Sequence, residues 1–137
     1  MNEDSVQRLG VAVGQTYCEA IASLASLIDV HLADPPRLEA ETATLKEEVI
    51  NTLVRHGRDR AALTADERMR VDAITATEIQ RVDAQAWQTM SRAIMTLMFT
   101  QHTLSQTLSS FNVITQYAAF ELLRAQHPDE ADRLGLP

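Results

Sequence analysis

A chain of 137 residues is one domain by length, large enough to enclose a single core. A formal charge of −7 and a pI near 5.0 exclude a general attraction to nucleic acid or to an anionic membrane surface. The single cysteine, Cys18, excludes an intrachain disulfide and makes a reducing cytoplasm the expected location.

Aromatics make up 4% of the residues against 45% apolar in all, so the core is expected to come from close-packed helices rather than a sheet. The opening MNEDSVQR is acidic and lacks the basic n-region of a secretory signal. A helix is predicted over residues 5–33, with Asp4 or Ser5 as its N-cap. Val6, Leu9, Val13, Tyr17, Ile21, Leu24, Ile28 and Leu32 recur there at helical spacing. Gly10 and Gly14 stand four apart on this helix and allow a neighbour to come close. Gln15, Glu19, Ser23 and Ser26 beside them argue for packing in water rather than in a membrane.

Asp34-Pro35-Pro36 closes the first helix and opens a second, predicted over residues 36–56. Asp34 is its natural N-cap, Leu38, Leu45, Val49 and Leu53 form its apolar stripe, and Gly57 is its expected stop. Thr64-Ala65-Asp66-Glu67 then forms a capping box, the clearest helix start in the chain. From there to residue 127 there is no glycine and no proline, and an apolar stripe keeps its phase. One helix over 65–126, continuous or merely kinked, is expected, spanning roughly 90 Å at 1.5 Å per residue. The alternative is a break between residues 100 and 115, where Ser, Thr and β-branched residues are dense. Thr103-Leu104-Ser105-Gln106 would be a second, weaker capping box, and a compact four-helix bundle would follow. Either way the fold class is all-α, an antiparallel helical bundle with an acidic tail over 128–137, completed by oligomerisation.

Charge is spread very unevenly. Residues 93–120 contain no Asp, Glu, Lys or Arg, and between Leu9 and Ile28 the only charge is Glu19. The first of these runs holds Gln101, His102, Gln106, Asn112 and Gln116, too polar for a membrane span. A helix that avoids charge on every side expects protein on most sides. Burial across subunits is therefore expected at Val13, Tyr17, Leu24, Leu97, Leu104, Leu108, Phe111 and Ala118. The partner is another copy of this chain or another helical protein.

No catalytic constellation is present, and no cofactor or metal is called for. The one face with ligand-like chemistry is Met95, Met98, Phe99 and His102, where a thioether and an imidazole share a helix side. There is no Glu-x-x-His or His-x-x-x-His pair to hold a metal. Cys18 is flanked by Glu19, which disfavours a thiolate. Residues 55–70 hold five Arg against Asp59, Asp66 and Glu67, a local net of +2, suited to an acidic partner such as the tail of another subunit. Trp87, the single Trp, suits a helix–helix contact.

Two short pieces resemble the RebB-type killing-trait family, the small structural proteins of bacterial R-bodies. Ala12-Val13-Gly14-Gln15-Thr16-Tyr17 is similar to that family's A-x-G-x-x-Y helix. Asn112-Val113-Ile114-Thr115-Gln116-Tyr117-Ala118-Ala119 is similar to its N-x-x-x-Q-x-A-A stretch. Here the charged middle of the chain separates them. The resemblance implies a non-enzymatic helical protein that assembles with itself. The readings that compete with it are a bundle holding a small apolar ligand, haem or metal, and an adaptor or regulatory subunit.

Overall fold

The structure, a computed structural model, describes residues 3–82, 87–89, 91–92, 95 and 105–133. All its regular elements are helices: α1 (Glu3–His31), α2 (Pro35–Ala61), α3 (Ala65–Ile79), α4 (Ser105–Gln126) and the short α5 (Pro128–Arg133). The all-α class expected from the apolar periodicity is what the described residues adopt.

Local chemistry sets most of the ends. Asp34 caps α2 through the Arg37 amide, with Pro35 and Pro36 in the first turn, where a missing N–H costs nothing. At Thr64 the capping box closes in both directions. Thr64 Oγ1 accepts from the Glu67 amide at 3.2 Å, and Glu67 accepts from the Thr64 amide at 3.0 Å. That bond holds the Glu67 carboxyl below the usual range.

Two boundaries correct the sequence reading. Gly57 does not stop α2, which runs four residues further to Ala61. Glycine weakens a helix interior by about 1 kcal/mol relative to alanine, which neighbouring turns and packing can offset. The extension carries Arg60 to Asp72 and Leu63 into the core, where it is 6% exposed. The helix expected over 65–126 ends at Ile79. Its last amides fold back in a tight turn, Arg81 to the Glu78 carbonyl and Val82 to the Ile79 carbonyl, both at 3.1 Å. No glycine or proline marks this end; Val82 and Trp87 turn inward and pack against the core instead. A rod of roughly 90 Å would have left the apolar face of α4 with no partner in the chain. Of the alternative break between residues 100 and 115, positions 100–104 lie outside the described residues, and from Ser105 to Gln126 α4 is unbroken.

Contacts along the helices give their directions. Arg70 pairs with Glu3 at 2.9 Å, Thr75 donates to the Gly10 carbonyl at 3.3 Å, and Cys18 donates to the Glu78 carbonyl at 3.2 Å, so α3 runs parallel to α1. Tyr17 meets Glu121 while Ile21 and Leu24 share a cluster with Ile114, so α4 runs against α1. Thr42 meets Thr107 and Ser110, and Leu53 lies beside Tyr117, so α4 runs along α2. Each of α1 and α4 packs chiefly on α2 and α3, which places α1 and α4 on one diagonal of the bundle and α2 and α3 on the other.

Two apolar clusters fill the interior. One joins Ala20, Ile21, Leu24, Ala25 and Ile28 to Leu38, Val49 and Ile114; the other joins Val6, Leu9, Val13 and Tyr17 to Leu63, Val71, Ile79 and Ala118. Each fully buried Leu, Ile or Val among them contributes about 1.5–3 kcal/mol. The glycines expected to admit a neighbour do so: a Cβ on Gly10 would lie 2.6 Å from Ile74 Cβ, and one on Gly14 would meet Glu78 Cβ. α1 is also long and apolar enough by composition to cross a membrane, but 44% of its most apolar window is buried in this core.

Candidate functional site

Four of the eight residues expected at an interface between subunits lie inside the single chain. Val13 is 6% exposed, Tyr17 2%, Leu24 0% and Ala118 4%. Leu108 and Phe111 are half-buried against the first apolar cluster. Leu97 and Leu104 lie outside the described residues. The helices that avoid charge thus first pack on α2 and α3. The Ser and Thr of α4 belong to that contact. Thr42 and Thr107 share a buried hydrogen bond at 3.1 Å, Ser110 donates to the Thr42 carbonyl at 2.9 Å, and Lys46 donates to Ser109 at 3.2 Å. Residues that looked like poor helix formers are a satisfied polar seam.

The bundle leaves outside a narrow strip on the low-charge part of each of these helices. Between Leu9 and Ile28 the strip on α1 consists of Gln15, Glu19, Ala22, Ser23 and Ser26, and that on α4 of Asn112, Gln116, Ala119 and Gln126. The only charges in α4 are Glu121 and Arg124, and both side chains turn inward, 15% and 14% exposed.

These two meet a buried polar group that the periodicity did not reveal. Tyr17 donates to Glu121 Oε1 at 3.4 Å, and Arg124 stands 3.6 Å from the same oxygen. Behind them Arg60 grips Asp72 with two bonds of 2.8 Å, the side chain of Asp72 being only 6% exposed. Burial pushes the Glu121 carboxyl up, against the opposing pull of Arg124; burial and Glu121 together push the Tyr17 hydroxyl far up, so it stays neutral. His56 lines the space beside Glu121, with Nδ1 enclosed and no hydrogen-bond partner among the described residues; burial, then Arg55, holds it below its ordinary value. The sequence did hold a trace of this group. Glu121 and Arg124 are the first charges after the uncharged run and flank Leu122 on the apolar stripe.

Beside this group a cleft of about 230 Å³ opens between α1, α2 and α4. Ile50, Leu53, Val54 and Tyr117 form its walls, Tyr17, Glu121 and Arg124 its inner end, and Gly57 its mouth. Nothing lies within 4 Å of where a Gly57 side chain would begin.

The other candidates are placed more simply. Met95 is 59% exposed, while Met98, Phe99 and His102 lie outside the described residues. Among the described residues no group of three His, Cys, Asp or Glu could hold a metal. Cys18 is half-buried, and burial, then Glu78, pushes its thiol up, away from a reactive thiolate. In the basic corner, Arg60 is held by Asp72, Arg70 by Glu3, and Arg68 donates to the Leu63 carbonyl at 2.6 Å. The chain supplies these partners itself. Trp87 is half-buried against the first apolar cluster. In comparison with known proteins, the chain matches no family model, no curated protein and no solved structure.

Proposed function

We infer that this chain is a non-enzymatic helical protein that assembles with further copies of itself in the cytoplasm. The observation that carries the reading is the surface left after the bundle closes. The strips on α1 and α4 hold one charge between them, Glu19, and lie on opposite sides of the bundle. A surface kept monomeric is normally dense in mixed charge, and the core of an interface is depleted of it. The same two helices hold the pieces that resemble R-body proteins.

Two different strips on opposite sides give a head-to-tail contact, which closes into a ring or grows into a filament. Sedimentation velocity across the micromolar range tests this. The unmodified protein is expected to form species that grow with concentration, and Ser23→Lys or Gln116→Lys alone to stop that growth. Mixing the two variants should restore a dimer and nothing larger, because each keeps the strip the other has lost. An unmodified protein that stays monomeric at high micromolar concentration overturns the reading.

A further inference from the structure

The cleft between α1, α2 and α4 joins an apolar body to a polar end that carries a guanidinium fork. Arg124 carries five N–H donors on a planar fork. Among the described residues its one polar partner is Glu121 Oε1, at 3.6 Å, which is beyond hydrogen-bond length. The side chain is 14% exposed and lines the cleft, so donors of its fork remain available to a guest. A carboxylate matches such a fork with two parallel bonds, and the match is stronger where water is scarce. The rest of the wall is aliphatic or aromatic: Ile50, Leu53, Val54 and the ring of Tyr117. At about 230 Å³ the space is below the roughly 300–1,000 Å³ of drug-sized sites, which sets a small guest.

We propose that this cleft binds a small aliphatic carboxylate, with its head group on the Arg124 fork and its tail between Ile50, Leu53 and Val54. Gly57 fits this use. A glycine four residues before the end of α2, with open space beside it, is not there for close packing, and its missing side chain keeps the mouth clear. The titratable groups around the head group come from four helices: Tyr17 from α1, His56 and Arg60 from α2, Asp72 from α3, and Glu121 with Arg124 from α4. Arg60 and Asp72 cancel, so an entering carboxylate adds a second negative charge next to Glu121. Glu121, already pushed up by burial, takes a proton and donates to the guest. Affinity therefore rises as pH falls from neutral towards the guest's own titration.

Titrating the labelled protein with octanoate and with 1-octanol, followed by amide chemical shifts, tests the proposal. Octanoate should bind at least tenfold more tightly than octanol, with the shifts centred on Leu53, Gly57, Tyr117 and Arg124. Arg124→Gln should reduce octanoate to the level of octanol, and Arg124→Lys, which keeps the charge but loses the fork, should fall between. Gly57→Leu should close the mouth and abolish both. Octanol binding as tightly as octanoate overturns the head-group assignment. Neither binding, or both binding undiminished to Gly57→Leu, overturns the cleft as a site.

Discussion

The two diagonals of the bundle use their residues in opposite ways. On α2 the solvent side carries Arg37, Glu47, Glu48, Arg55, Arg58 and Asp59, and on α3 it carries Asp66 and Arg70. On α1 between Leu9 and Ile28 it carries Glu19 alone, and α4 exposes no charge at all among its described side chains. The charges α4 does have are turned inward to Tyr17 and the cleft. One diagonal thus spends charge on solubility, while the other keeps it for the interior. The difference separates helices that face water from helices whose outer sides are free to meet protein.

The sharpest way to test that division is at its inner boundary. Leu24 was expected at a contact between subunits and is instead 0% exposed within one chain. Leu24→Ala should cost about 2–5 kcal/mol, as for other buried leucines, and by the same amount at low and high protein concentration in urea unfolding. A loss that grows with concentration would return Leu24 to the interface between copies.

A smaller effect contrasts the two glycines. Gly14→Ala places a methyl group against Glu78 Cβ and 3.2 Å from the Thr75 carbonyl, in the seam between α1 and α3. It should destabilise by about 1–3 kcal/mol, because one of the two helices must move. Gly57→Ala meets nothing and should stabilise by up to about 1 kcal/mol through helix propensity. Equal signs for the two in thermal unfolding would remove the distinction between a packed seam and an open mouth.

The smallest effect concerns the inward charge of α4. The folded-state pKa of Glu121 is raised, so its contribution is most favourable below the unfolded carboxyl range. That contribution is lost as pH rises through the raised value. Glu121→Gln does not titrate, so its stability relative to the unmodified protein should climb with pH across that window and then level off. Parallel stability curves for the two proteins would show that Glu121 is not held in the dry environment described.

Much of this was legible in the residues. Asp34 before two prolines and Thr64 three before Glu67 specify helix starts through bonds within one turn, and no distant contact is needed to read them. The stripe on α1 named its buried face correctly from Val6 to Ile28, because helical period and burial are the same pattern. Gly10 and Gly14 announced a close neighbour without saying which. The end of α3 was not legible. The turn at residues 80–82 has no glycine or proline, and its cause lies in Val82 and Trp87 reaching a core built from α1, α2 and α4. Nor were the cleft and its polar end. Tyr17, Asp72, Glu121, Arg124 and Arg60 come from four helices, and a charge beside an apolar stripe reads as a solvent-facing residue until packing is known.

The sequence by itself therefore determined that this protein is helical, where its best-capped helices begin, and which faces avoid charge. These follow from hydrogen bonds and periodicity that act over a few residues. Tertiary structure alone decided that α3 stops at Ile79, that the apolar faces of α1 and α4 are consumed within one chain, and that the charges of α4 point inward. The reason is the same in each case: burying α4 against α1, α2 and α3 recovers apolar area that a single long helix would have left in water.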